Sequence, residues 1–85
     1  MPYSLEFHPS AVKQLILLPD AMRERIEEKI FPLEREPRPV GAIKMSGSKN
    51  RYRIRAGDYR VIYEIEDRRL VVLIVRIGHR REVYR

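Results

Sequence analysis

The last nine residues of the chain, I-G-H-R-R-E-V-Y-R, combine side chains that transfer protons with side chains that hold anions. Histidine, present at His79, is the side chain that titrates near neutral pH. Tyrosine, present at Tyr84, ionises at neutral pH only beside positive charge. Arg80 offers a planar fork of donors that fits a phosphate and keeps its charge. The tail is therefore either a solvated chain end or part of a site that acts on a phosphodiester.

Arginines dominate the region before this tail: ten arginines and no lysine lie from position 51 to the end. Apolar and polar residues alternate there, which predicts strands at 51–56, 59–66 and 70–78. Side chains two residues apart on a strand point to the same face. The alternation therefore places five arginines of three adjacent strands on one face. They are Arg53, Arg55, Arg60, Arg76 and, with the phase kept beyond Gly78, Arg80. Arg51 has the same orientation.

This predicted arginine face brings like charges together, because neighbouring strands lie under about 5 Å apart. Glu64, and at a greater distance Glu66, are the acidic side chains near enough to offset them. A cluster of this kind favours an anionic ligand. The alternative is a solvated sheet face whose arginines give solubility and block edge pairing.

The first half of the chain predicts one short strand and two helices. Residues 3–7 alternate as a strand, and His8 and Pro9 fit the start of a first helix. Asp20 is predicted to cap a second helix, and Pro32 to kink or shorten it. The apolar stripe of the second helix consists of Met22, Ile26, Ile30 and Leu33.

The predicted order is β-α-α-β-β-β, with a loop at 37–50 between the helices and the later strands. Short turns join those strands, and short turns require antiparallel neighbours. We therefore predict one α+β domain over residues 1–85, with two helices on one face of a curved antiparallel sheet. The residues predicted to face the helices are Tyr3, Leu5, Phe7, Tyr52, Ile54, Tyr59, Val61, Tyr63, Ile65, Leu73, Val75 and Ile77.

Several classes of protein are disfavoured by composition. The chain has no cysteine, which fits a reducing cytoplasm and excludes disulfides. No leader peptide or membrane-spanning run is apparent, so a cytoplasmic location is expected. No metal cluster, phosphate-binding glycine loop or Ser/His/Asp set is present, so no cofactor is expected. The net charge of +6 favours nucleic acid or an acidic protein as partner.

RNA cleavage is a reaction that suits these residues. A base takes the proton of a 2′-hydroxyl, the oxygen attacks the adjacent phosphorus, and the 5′-oxygen departs with a proton. Negative charge grows on the phosphoryl oxygens, where fixed guanidinium groups stabilise the transition state. The proton carriers available on the tail are His79 and Tyr84. Each has a structural alternative: with the strand phase kept, His79 faces inward and covers the edge of the core, and Tyr84 packs on the sheet.

The stretch Y-R-I-R-A-G-D-Y-R-V-I-Y and the later G-H-R-R-E-V-Y closely resemble the RelE branch of the RelE/ParE superfamily. The members are toxins of bacterial and archaeal type II toxin–antitoxin pairs. The segments F-x-P-x-A-x-K-x-L and K-M-S-G extend the resemblance over nearly the whole chain. It implies an endoribonuclease that enters the ribosomal A site and cuts the messenger by the 2′-hydroxyl route, without metal, leaving a 2′,3′-cyclic phosphate.

The resemblance also implies roles for particular residues. Arg60 matches the arginine that stabilises the transition state, and Arg80 a second catalytic arginine that helps the leaving group. Tyr84 matches a C-terminal tyrosine implicated in base chemistry or nucleotide positioning. Arg53 and Arg55 fall where the best-known member has two lysines that bind and help activate the substrate.

The sequence departs from the family pattern in its proton carriers. An arginine cannot give up a proton as a lysine can, so Arg53 and Arg55 are limited to charge stabilisation. His79 replaces a further lysine, so proton transfer is expected to involve His79 in part. The resemblance also implies a partner, an antitoxin that covers or displaces the catalytic tail, with the exposed strand edges as docking lines.

Two other functions fit the same sequence. A ParE-like toxin has this fold but poisons DNA gyrase without the arginine–tyrosine set. A plain RNA-binding module would use the arginines without cutting; five of them on single-stranded RNA predict a log–log salt slope of about −3.5.

Overall fold

A computed structural model describes residues 2–79 of the chain. Its elements are β1 (Ser4–Phe7), α1 (Pro9–Ile16), α2 (Asp20–Ile30), a 3₁₀ turn (Phe31–Glu34), β2 (Ile43–Lys44), β3 (Arg51–Ala56), β4 (Tyr59–Glu66) and β5 (Val71–His79). The predicted α+β class, the two helices and the four predicted strands are confirmed. The short strand β2 is an addition, because it lies within the segment predicted as loop. In this part of the chain neither helix is long and apolar enough to cross a membrane.

The helix α1 starts as the sequence predicts. His8 is its N-cap, and the ring Nδ1 accepts a hydrogen bond from the backbone N–H of Ser10 at 3.2 Å. Pro9 occupies the first turn, where its missing N–H costs nothing.

The predicted cap of α2 is wrong, whereas its predicted end is confirmed. Pro19 holds the N-cap position, and Asp20 is already inside the helix, where its carboxylate pairs with Arg23 instead of the backbone. An acidic side chain in the first turn still interacts favourably with the helix dipole. The helix ends at Ile30 and continues as the 3₁₀ turn that contains Pro32.

The five strands form one sheet in the order β1-β5-β4-β3-β2. The prediction of an antiparallel sheet is wrong at one edge, since β1 runs parallel to β5 with Ser4 opposite Val71 and Phe7 opposite Ile74. All other pairs are antiparallel. Tight turns fix the direction of β3, β4 and β5. No tight turn joins β1 to β5, so chain proximity does not set their relative direction.

The core side of β5 differs from the prediction. Leu73 and Val75 were expected to face the helices, but both are only partly buried, and Val72 and Ile74 are fully buried instead. Ile77 is buried as predicted.

A β-bulge explains this change of phase. Tyr63 pairs with Ile74 whereas the preceding residue, Ile62, pairs with Arg76, so Val75 is an extra residue in β5. An inserted residue shifts the in-and-out alternation by one position. Even-numbered residues of β5 therefore face the core before the bulge, and odd-numbered residues face it after the bulge. A single alternating pattern cannot describe both halves.

The core lies between the helices and the sheet, and Tyr63 is the largest of its fully buried side chains. This side chain is fully buried, stacks on Tyr52 with ring centroids 5.9 Å apart, and donates a hydrogen bond to the carbonyl of Pro37 at 2.7 Å. Burial raises the pKa of Tyr63 to about 12, so the phenol is neutral at physiological pH.

A polar cluster at the β4–β5 turn fastens the loop after the 3₁₀ turn to the sheet. The Asp67 carboxylate accepts hydrogen bonds from Tyr3 at 2.7 Å and from both terminal nitrogens of Arg38 at 2.9 and 3.3 Å. The Nε of Arg38 donates to the Tyr52 hydroxyl at 3.0 Å. One carboxylate in the β4–β5 turn therefore links Tyr3, the residue before β1, with Arg38 of the loop.

We expect this cluster to make the free energy of unfolding depend on pH in the acid range. The hydrogen bond from Arg38, and after it the one from Tyr3, hold the pKa of Asp67 below its ordinary value. The carboxylate therefore stabilises the fold above the unfolded pKa of about 4, and this contribution is lost as pH falls through the lower folded value. Urea unfolding from pH 6 to pH 2 should show Asp67→Asn less stable than wild type above about pH 4 and equally stable at the acid limit.

Asp58→Asn is the matched control, because Asp58 is an exposed carboxylate in the other hairpin turn with no hydrogen bond or ion pair within residues 2–79. A wild-type advantage over Asp67→Asn that stays constant down to pH 2 would show that Asp67 ionisation does not stabilise this cluster.

Candidate nucleic-acid interface

Arginines from three strands lie on the sheet face opposite the helices. Arg55 of β3 pairs with Arg60 of β4. Two residues further along β4, Ile62 pairs with Arg53 of β3 on one side and with Arg76 of β5 on the other. Directly opposed residues of antiparallel strands point to the same face. The predicted common orientation of these four arginines is thus confirmed, and the bulge at Val75 does not disturb it, because it precedes Arg76.

The turn between β3 and β4 holds two of these guanidinium groups in place. The carbonyl of Gly57 accepts a hydrogen bond from Arg55 Nε at 3.0 Å and another from Arg60 Nη1 at 3.5 Å. Arg60 Nη1 also donates to the carbonyl of Tyr59 at 3.2 Å. Gly57 has φ of +62°, a left-handed conformation that favours glycine. The turn is therefore a scaffold that orients Arg55 and Arg60 before any ligand binds.

Arg51 is held differently from the other arginines of β3. Its Nη2 lies 2.5 Å from Glu64 Oε2, and Nε donates to the same oxygen at 3.2 Å. Glu64 is the local counter-charge that the sequence predicted. Because this pair neutralises Arg51, the net positive charge of the face is concentrated toward the β3–β4 turn.

His79, at the end of β5, lies on the other side of the sheet from Arg60. It pairs with Tyr59, and its ring meets the Tyr59 ring edge to face, with centroids 5.7 Å apart and planes at 77°. Tyr59 itself packs against the core. The structure therefore brings together Arg53, Arg55, Arg60 and Arg76 and keeps His79 apart from them.

Two predicted site residues, Arg80 and Tyr84, lie outside the residues that the structure describes. Within residues 2–79, no group of three or more His, Asp or Glu side chains is arranged to hold a metal ion.

The sequence prediction did not include Arg25, a residue of α2 that lies beside the arginine face. A Cβ placed on Gly57 would lie 3.6 Å from Arg25 Nη2, so this guanidinium covers the same turn that holds Arg55 and Arg60. The sequence shows Arg25 and Lys29 one helical turn apart, but not that the middle of α2 lies beside the β3–β4 turn.

Comparison with known proteins gives a consistent result. The family described as "ParE toxin of type II toxin-antitoxin system, parDE" matches residues 5–84. Toxin RelG of Mycobacterium tuberculosis is 35% identical over all of this chain and 99% of its own length. The mRNA interferase toxin RelE of Escherichia coli is 33% identical over 99% of this chain and 92% of its own.

Solved structures show the same architecture. The toxin in the archaeal RelE–RelB complex of Pyrococcus horikoshii superimposes with a TM-score of 0.82 at 38% identity, covering 94% of this chain and 97% of that one. The isolated E. coli RelE toxin gives 0.82 at 30% identity, covering 96% and 90%. The chain belongs to the RelE/ParE superfamily of type II toxins. Within it, these relatives carry names of the RelE type.

Proposed function

We propose that this chain is the toxin of a type II toxin–antitoxin pair and acts as a ribosome-dependent endoribonuclease that cuts messenger RNA in the A site. The observation that carries the proposal is the arginine face, on which Arg60 and Arg55 are held by turn carbonyls, and Arg53 and Arg76 lie on the same face on either side of Ile62. The relatives named mRNA interferase support the same reaction.

In the proposed reaction the arginines act on charge and not on protons. Arg60 and Arg80 stabilise the phosphoryl oxygens as the 2′-oxygen attacks, and Arg80 also offsets the charge on the departing 5′-oxygen. Tyr84, ionised as its phenolate among the surrounding arginines, takes the 2′-hydroxyl proton and becomes the neutral phenol, and the 5′-oxygen leaves with a proton from solvent. The products are a 2′,3′-cyclic phosphate and a 5′-hydroxyl.

The other arginines bind substrate in this proposal. Arg53, Arg55 and Arg76 contact the phosphates next to the cleaved bond, where a guanidinium fork suits phosphate oxygens. Arg51 contributes least, because Glu64 already neutralises it.

We expect His79 to position the end of β5 and not to carry the proton. His79→Phe keeps an aromatic ring against Tyr59 and removes the titratable nitrogens. Loss of a general acid or base costs about 10²–10⁴-fold in rate, so a decrease below about tenfold is the expected result. The measurement is single-turnover cleavage of messenger on programmed ribosomes between pH 6 and pH 9. A loss of about 10²-fold or more, with a changed pH profile, would make His79 a proton carrier.

The proposed partner is an antitoxin. Related toxins were solved as RelE–RelB complexes from P. horikoshii, M. tuberculosis, E. coli and Methanococcus jannaschii. An acidic antitoxin segment would complement the net charge of +6 and cover the arginine face.

The experiment that tests the function is mapping of messenger 5′ ends after brief expression in cells. Cuts inside codons at translated positions are expected. Intact messenger together with inhibition of gyrase supercoiling would instead establish the ParE-like alternative, and steep salt-dependent RNA binding without cuts would establish the plain RNA-binding module.

A further inference from the structure

A cleft of about 590 Å³ opens beside the arginine face, on the far side of the β3–β4 turn. One wall is the exposed side of α2, with Arg25, Glu28 and Lys29. The loop residues Pro39 and Val40 also line the cleft. The remaining lining includes Ile54, Arg55 and Gly57, and Arg55 connects the cleft with the arginine face.

The connection between the two sites is the β3–β4 turn. The Gly57 carbonyl accepts hydrogen bonds from Arg55 and Arg60, and the Arg25 guanidinium covers the same glycine from the helix side. Guanidinium groups from α2, β3 and β4 therefore meet at one turn. An RNA strand bound at Arg60 and extended past the β3–β4 turn would bring its next phosphates to Arg25.

The charges that line the cleft are predominantly positive. Arg25, Lys29 and Arg55 outnumber the one acidic residue, Glu28. Arg25 and Lys29 are exposed and take part in none of the ion pairs within residues 2–79. Two cations at i and i+4 on a helix repel each other, which an anionic ligand relieves.

The apolar wall indicates a ligand that is more than a simple anion. Val40 is fully exposed, and Pro39 lies beside it. The loop is held from behind, because Pro37 accepts the Tyr63 hydrogen bond and Arg38 is paired with Asp67. A cleft lined by both apolar groups and cations suits a nucleic-acid strand, whose sugars and bases contact the apolar groups and whose phosphates contact the cations.

We infer that this cleft binds the backbone of RNA as an extension of the arginine face, with Arg25 and Lys29 as its phosphate contacts. The inference rests on the proposed function, since it assumes that RNA is the ligand of the arginine face. The RNA is either the messenger next to the cleaved bond or ribosomal RNA. Both present the same phosphodiester chemistry, and separate probes distinguish them.

The test compares two double variants with equal loss of charge. Arg25→Gln/Lys29→Gln changes the cleft, whereas Arg68→Gln/Arg69→Gln changes exposed arginines of the β4–β5 turn, at the opposite end of the sheet. The probes are a 12-nucleotide 2′-O-methyl RNA, which lacks the attacking hydroxyl, and ribosomes without messenger. Affinity is measured between about 50 and 200 mM salt. Thermal unfolding confirms that both variants are folded.

Each phosphate contact on single-stranded RNA contributes about 0.7 to the log–log salt slope. We therefore expect the cleft variant to lose about 1.4 from the slope, so that the wild-type advantage shrinks about sevenfold over this salt range. The β4–β5 turn variant should keep the wild-type slope. A smaller salt slope with the oligonucleotide identifies the messenger as the ligand of the cleft. A smaller salt slope with ribosomes identifies ribosomal RNA as the ligand.

The inference is overturned if the two double variants bind both probes equally, or if the unchanged protein binds neither. Because both probes resist cleavage, this result is independent of catalysis. Failure of the proposed nuclease function would instead appear as intact messenger in the mapping experiment.

Discussion

Replacing Arg60 with alanine is expected to lower the rate of messenger cleavage by about 10²–10³-fold, the usual cost of one well-aimed donor to a developing oxyanion. The Arg60 guanidinium is already fixed by the carbonyls of Gly57 and Tyr59, so little reorganisation accompanies the reaction. Single-turnover cleavage on programmed ribosomes is the measurement. Because Arg60 acts in the transition state, ribosome binding should weaken much less than the rate.

Two variants sharpen this test. Arg60→Lys keeps the charge but loses the planar fork, and it should recover only part of the rate. Arg68→Ala removes an exposed arginine from the β4–β5 turn and should leave the rate unchanged. Equal cleavage rates for wild type and Arg60→Ala would show that Arg60 has no role in the reaction. Equal losses of rate for Arg60→Ala and Arg68→Ala would show that only the net charge of the protein matters.

Replacing Tyr63 with alanine should destabilise the fold by about 3–5 kcal/mol, as expected for loss of a large aromatic side chain from a core. The ring is fully buried, stacks on Tyr52, and anchors the loop through the carbonyl of Pro37. Domains of this size have a free energy of unfolding of about 5–15 kcal/mol. The variant should therefore lose a large fraction of its stability, which urea unfolding at neutral pH measures.

Two conservative variants separate packing from hydrogen bonding. Tyr63→Phe keeps the ring and leaves the buried Pro37 carbonyl without its donor, at a cost of about 1–3 kcal/mol. Tyr59→Phe is the control, since the Tyr59 hydroxyl makes no hydrogen bond within the described part of the chain, and a change below about 0.5 kcal/mol is expected. Equal effects of the two would mean that the Tyr63 hydrogen bond does not stabilise the fold.

The orientation of the arginines was predictable because it depends on neighbours in sequence. Alternation along β3 and β4 is unbroken, so Tyr52 and Ile54 inside require Arg53 and Arg55 outside. The same argument was wrong for Val75, where one extra residue reverses the phase. A bulge is decided by the pairing of two strands, and one strand's sequence carries little sign of it.

The cleft was not predictable, because its walls are far apart in the chain. Arg25 and Lys29 read as the solvated face of an amphipathic helix, and Val40 as part of a loop. Their proximity follows from how α2 packs on the sheet and from how Arg38 and Asp67 hold the loop. Such contacts link residues widely separated in sequence, and no local pattern encodes them.

The sequence by itself determined the elements, the α+β class and the face on which the arginines lie, because periodicity and turn residues act over a few positions. Only the tertiary structure decided the parallel placement of β1 and the bulge in β5. It also decided that Arg25 meets Arg55 and Arg60 at one turn. These features depend on packing between distant segments, whose free energy is set by the whole core and not by any one stretch of residues.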